Sequence, residues 1–178
     1  MKKYFVIGIG YALFFYWACK KEDPPVIIEQ PKEFVARSSD FENYRSWPII
    51  AKTKDPHPSL GTSHLSTNPD AYRWIYVKDN ATRGADGKFP IGTMIVKEYR
   101  KSNGDTINTF YVAMVKRGRS FNPDFGDWEW FHLDPITLKI RLATGGLNAE
   151  YRGATLFNNT CNNCHNATKD KDFVFSVK

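Results

Sequence analysis

Four short runs of aromatic and β-branched residues stand out along the chain, each bounded by turn-forming residues. They cover residues 73–78 (RWIYVK), 94–99 (MIVKEY), 106–115 (ending FYVAMV) and 127–132 (DWEWFH). Such runs fit a pleated, mostly buried surface, which predicts four strands. Asn103-Gly104 offers a tight hairpin turn between the second and third. A loop with Gly118, Pro123 and Gly126 leads into the fourth. Three successive strands after residue 90 predict an antiparallel sheet. Upstream, Phe41, Tyr44 and Trp47 recur at spacing three behind the capping residues Ser39 and Asp40. This predicts a short helix over 39–47, ended by Pro48, with its aromatics in the core. A second helix is expected near residue 165. The class is therefore α+β, mainly an antiparallel β-sheet with flanking helices.

The N-terminal pattern is different. Lys2 and Lys3 precede residues 4–18, which contain no charge. A basic segment followed by a short apolar one reads as an export signal. At 15 residues the run is short for a membrane span, which needs ~20. It ends in Ala18-Cys19, and the charged residues 20–23 follow at once. A small residue before cysteine resembles a bacterial lipoprotein box, and Cys19 is then the lipidated residue. Tyr16 and Trp17 depart from that box, so an uncleaved anchor or an ordinary signal stays open beside it. Every version expects an exported protein, periplasmic or held at the outer membrane by its lipid.

The formal charge is +6, and losing Lys2 and Lys3 with residues 1–18 brings it to +4. With no basic cluster interleaved with aromatics, nucleic acid is not an expected partner.

Candidate chemistry concentrates at Cys161-Asn162-Asn163-Cys164-His165. C-x-x-C-H is the attachment signature of a c-type haem: two thiols form thioethers, and the histidine ligates the iron. A zinc site would need two more ligands, and the three cysteines of the chain include no second pair. A thioredoxin-like dithiol belongs beside an early βαβ unit, not near the C-terminal end. With Cys19 assigned to lipid, no cysteine is left for a disulfide. The chain thus divides into a lipoprotein-type signal peptide (1–18), a linker rich in proline (19–38) and a C-terminal haem c domain (39–178).

The order of motifs resembles the cytochrome P-460 family, which includes the β-type cytochromes c-prime. The matching pieces are Tyr72 to Val77 with Asn80-Ala81, Phe89 to Glu98, Met114 to Gly118, Gly126 to Glu129, Cys161 to His165, and Asp172 to Phe175. The resemblance implies a mainly antiparallel haem protein, usually a homodimer, with five-coordinate iron on His165. Its open face handles hydroxylamine or nitric oxide, and electrons pass to an external partner. Some members oxidise hydroxylamine, whereas others bind nitric oxide without established turnover. A non-catalytic gas-binding or electron-transfer cytochrome is therefore the alternative.

Catalytic members of that family carry a lysine joined to the haem edge, and Lys97 is the matching candidate. On period two it shares a face with Ile95 and Tyr99, while Glu98 shares the other with Met94 and Val96. One of the two charges must therefore point with core residues. Lys78 and Lys116 are fallbacks; without a link, Phe89 and Phe110 are candidates for apolar distal residues. Arg73 resembles the pocket arginine that hydrogen-bonds a haem ligand. Asp127, with Asp124 nearby, is a candidate proton acceptor, against the turn chemistry expected of these positions. His57, His64, His132, Met94 and Met114 are possible sixth ligands, which would favour an electron carrier.

Overall fold

The computed structural model describes residues 32–55, 66, 68–107, 111–143 and 149–175. These form one six-stranded antiparallel sheet in sequential order: β1 (Ile49–Lys54), β2 (Tyr72–Val77), β3 (Met94–Arg100), β4 (Tyr111–Lys116), β5 (Trp128–Leu133) and β6 (Arg152–Gly153). One α-helix, α1 (Thr160–His165), follows the last strand. The four predicted strands are β2 to β5: each ends one residue from its expected bound, β2, β3 and β5 start within one residue of theirs, and β4 is described from Tyr111 against an expected start at 106. Lys101 N donates to the Asp105 carbonyl across the Asn103-Gly104 turn, where Gly104 has φ 94°.

Two strands escaped the pattern. β1 is a half-exposed edge carrying Lys52 and Lys54, with a bulge between Ile49 and Ala51. Lysines and bulges protect sheet edges from further pairing, and they also erase the apolar signature. β6 has two residues and pairs only Gly153 with Trp130 and Arg152 with Phe131. The expected helix over 39–47 is instead two 3₁₀ turns, Ser38–Asp40 and Tyr44–Ser46. Spacing three is the 3₁₀ period, which stacks i on i+3 but rarely continues far. The predicted burial holds for Phe41 and Tyr44, with Trp47 packed against the same cluster.

The sheet is covered on both faces. On one, Tyr76, Val96, Ala113 and Phe131 lie across from one another and pack against Ala36, Phe41 and Tyr44. On the other, Ile75, Ile95, Met114 and Trp130 pack against Leu156, Cys161, Phe173 and Val174 of the C-terminal segment. Large aromatics dominate both layers, and each removes about 150–250 Å² from water.

Double coverage means that Glu98 and Lys97 of β3 each point toward a packed layer. Glu98 is fully buried on the first face, where Tyr44 Oη donates to Oε2 at 2.5 Å and Tyr76 Oη to Oε1 at 2.6 Å. Arg45 and Arg100 complete its shell. Burial and the Glu98 charge push both phenols well above the usual tyrosine range. Lys97 takes the opposite face, and that face carries the candidate site.

Candidate functional site

The chain enters α1 through three consecutive residues in left-handed backbone, Phe157, Asn158 and Asn159 (φ 54°, 52° and 65°). Asparagine tolerates this region, whereas Phe157 there costs roughly 1–2 kcal/mol, so the entry is held from outside. Asn162 supplies the hold. Its Oδ1 accepts from Trp130 Nε1 at 2.7 Å and from Asn122 Nδ2 at 3.1 Å. Its Nδ2 donates to the Ala154 carbonyl at 2.9 Å and to Asn159 Oδ1 at 2.6 Å. All four hydrogen-bonding positions of the amide are used, and the side chain is buried. With α1 fixed in this way, the spacings i, i+3 and i+4 place Cys161, Cys164 and His165 on one helix face.

That face borders a cavity of about 850 Å³, counting the space at its open mouth. Ile75, Ile95, Val112, Met114, Trp130 and Phe175 make most of its wall apolar. His165 lies against Trp130 and Phe175, with ring centroids 4.6 and 5.2 Å away. Its Nδ1 is 2.6 Å from the Phe173 carbonyl. A carbonyl only accepts, so Nδ1 carries the proton and Nε2 keeps its lone pair. Burial pushes the imidazole down to about 4, and the nearby Lys97 charge acts in the same direction. His165 is thus neutral at ordinary pH, the form that ligates a metal.

Three polar groups interrupt the apolar wall. Lys97, half-buried, is lowered to about 7, chiefly by desolvation and then by the Arg73 charge. Arg73 is buried and its Nη2 lies 2.7 Å from Asp55 Oδ1, while Ser66 N donates to Asp55 Oδ2 at 2.6 Å. Thr53 of β1 completes the set. The Cys161 thiol is raised to about 11 by burial, against the pull of Lys97.

The donor set fits a c-type haem. Two thiols and a neutral imidazole with an available Nε2 share one helix face, beside a cavity whose wall is mostly apolar with a few polar groups, as cofactor sites are. The profile of the Cytochrome P460 family matches residues 41–176, from the first buried aromatic to the end of the cavity wall. The chain belongs to the cytochrome P460 family. Membership implies a haem cofactor and makes this a c-type haem protein. No curated protein matches the chain.

Within this P460 domain the candidate residues separate clearly. Lys97 and Arg73 reach the cavity together with Cys161, Cys164 and His165. Lys116 does not; it is buried in an ion pair with Asp172. Lys78 lies near Met94 and Trp47, with the cluster of the opposite face. Asp127 is not on the cavity wall. Its Oδ1 accepts from Asn122 N at 3.1 Å and its backbone is left-handed, so its observed contacts are those of a turn. Asp124 sits exposed in the neighbouring 3₁₀ turn. Phe89 packs on Trp128 rather than into the cavity. Met114 lines the cavity, whereas Met94 is in the opposite core. His132 packs against the tilted rings of Tyr151 and Phe157, and burial lowers its pKa. Cys19, His57, His64 and Phe110 lie outside the described residues.

Asp55, Asn162 and the Phe173 carbonyl were not anticipated. A buried arginine and a buried tryptophan N–H each demand a partner, but only the folded topology says which residue answers.

Proposed function

We propose that this protein is an exported haem c protein that binds hydroxylamine or nitric oxide at an open iron site. Cys161 and Cys164 would hold the haem as thioethers, and His165 would offer Nε2 to its iron. The observation that carries the reading is the convergence of these three residues with Lys97 and Arg73 on one apolar cavity. The haem iron supplies a Lewis-acidic, one-electron redox centre for small nitrogen compounds.

The chain's own residues do the rest. Trp130, Phe175 and the aliphatic wall exclude water, which strengthens polar contacts made inside. Arg73, oriented by Asp55, donates a hydrogen bond to a bound N–O group. Burial leaves part of the Lys97 amine neutral near pH 7, with a nucleophilic lone pair; joining it to a ring carbon of the haem would release that carbon's hydrogen and consume a two-electron oxidant such as a peroxide. Lys97 is therefore the residue for the lysine link of the hydroxylamine-oxidising members, with electrons leaving to an external acceptor.

One observation favours binding without turnover. Among the described residues no carboxylate lines the cavity, and oxidation of N–H bonds needs a proton acceptor. The test is to titrate the ferrous protein with nitric oxide and to assay the ferric protein with hydroxylamine and an artificial electron acceptor. Turnover supports the enzyme. Nitric oxide binding without turnover supports the gas binder, and neither result rejects an open site.

Export and lipidation of Cys19 belong to the same proposal, supported by residues 1–23. Labelled palmitate should enter the wild type and not Cys19→Ala. A homodimer is expected from the family resemblance and is tested by light scattering of the purified protein.

A further inference from the structure

The Phe173 carbonyl that accepts from His165 belongs to a backbone pair held under constraint. Asp172 and Phe173 are both left-handed, with φ 51° and 63°. Neither is glycine, so this conformation persists only because its surroundings impose it. The clamp comes from the sheet. Lys116 Nζ of β4 donates to Asp172 Oδ1 at 2.7 Å and to Oδ2 at 2.8 Å, and the pair is buried. Phe89 N donates to Asp172 Oδ2 at 2.8 Å, and Trp128 Nε1 of β5 donates to the Asp172 carbonyl at 2.8 Å. Gly126 closes the fit: a Cβ there would stand 2.8 Å from Asp172 Oδ1 and 2.9 Å from the Phe173 ring.

We infer that Lys116 and Asp172 are positioning residues for the axial ligand, setting how strongly His165 donates to the haem iron. The inference rests on the reading of His165 as that ligand. Neither residue touches the cavity. They act by fixing the Phe173 carbonyl 2.6 Å from Nδ1. A firm Nδ1–H···O=C bond shifts electron density toward Nε2, makes the imidazole a stronger donor, and favours ferric over ferrous iron. Removing the Lys116 charge leaves Asp172 buried without its cation, and a buried unpaired carboxylate is costly. The segment then relaxes toward ordinary backbone and the carbonyl withdraws.

The experiment uses holoprotein made with a haem-maturation system. The iron–histidine stretching frequency of the ferrous form is read by resonance Raman, and the reduction potential is read by titration. Lys116→Met should lower the frequency and raise the potential while one haem per chain is retained; Lys116→Arg should restore both toward wild type. Asp172→Asn keeps the side-chain shape and should shift both in the same direction as Lys116→Met. It decides the matter if Lys116→Met does not accumulate. Unchanged frequency and potential in a folded, haem-loaded Lys116→Met or Asp172→Asn protein would overturn the inference. A wild type without an iron–histidine band instead overturns the assignment of His165 itself, a distinct failure.

Discussion

The indole N–H of Trp130 donates to Oδ1 of Asn162 at 2.7 Å, joining β5 to the helix that bears both thiols and the imidazole. Asn162 is one of the two variable positions inside C-x-x-C-H, yet it is more deeply buried than either cysteine. It is the link between the sheet and the ligand face of α1.

Asn162→Leu should therefore destabilise the fold. It orphans Trp130 Nε1 in the interior and leaves Asn122 Nδ2 with only the Trp128 carbonyl of its two acceptors, and an unsatisfied donor costs about 1–3 kcal/mol. Urea denaturation should show a loss of ~2–4 kcal/mol. A change below ~0.5 kcal/mol would mean that α1 is held by other contacts.

Lys97→Ala leaves the attachment residues and the Nδ1 bond of His165 in place. Haem should remain bound through Cys161 and Cys164, while the ferrous spectrum changes and any hydroxylamine turnover disappears. An unaltered spectrum would remove Lys97 from the chemistry.

The Lys97 amine also predicts a pH dependence in the haem-free chain. Its folded value of about 7 lies below the unfolded value of 10.5. Between those limits the unfolded state binds more protons, so wild-type stability rises with pH. Below pH 7 the cost of enclosing the charge is fully present. Lys97→Met should then be the more stable protein, by on the order of 2 kcal/mol once access to solvent through the cavity mouth is allowed for. The advantage should shrink steadily from pH 7 to 10. A difference that stays constant over that range contradicts a desolvated amine.

Glu98 tests the independence of the two faces. Glu98→Ala deprives Tyr44, Tyr76, Arg45 and Arg100 of their shared acceptor. Removing one partner from a buried ionic cluster costs about 3–5 kcal/mol. Thermal or urea unfolding should record that loss, while the haem spectrum of the folded fraction stays as in wild type. A spectral shift comparable to that of Lys97→Ala would show that the faces are coupled.

Much of this arrangement was legible along the chain, for identifiable reasons. β2 to β5 announce themselves because buried strands need aromatic and β-branched residues. Parity alone put Lys97 with Ile95 and opposite Glu98, and the register of Lys97 with Ile75 and Val112 bears it out. The expectation that one of Lys97 and Glu98 would face core residues holds for Glu98, and because the sheet is covered on both sides Lys97 also faces a packed layer, half-buried at the cavity. β1 and β6 were hidden by charge and brevity. The pairs Arg73–Asp55 and Lys116–Asp172 were hidden more deeply, since the partners of the second lie 56 positions apart. A buried lysine in a strand signals that it needs an acid; only the meander and the returning C-terminal segment identify Asp172. Asp127 shows the opposite case, a carboxylate whose Gly-Asp context announced a turn and whose observed contacts are those of one.

The central claim is that one haem is attached at Cys161 and Cys164 and ligated by His165. Intact mass of the protein made with a haem-maturation system, followed by mass spectrometry of its tryptic haem peptide, tests it most directly. The mass should increase by one haem, located on the peptide containing Cys161 and Cys164, with neither thiol open to alkylation. A bare polypeptide mass with both thiols alkylated would contradict it.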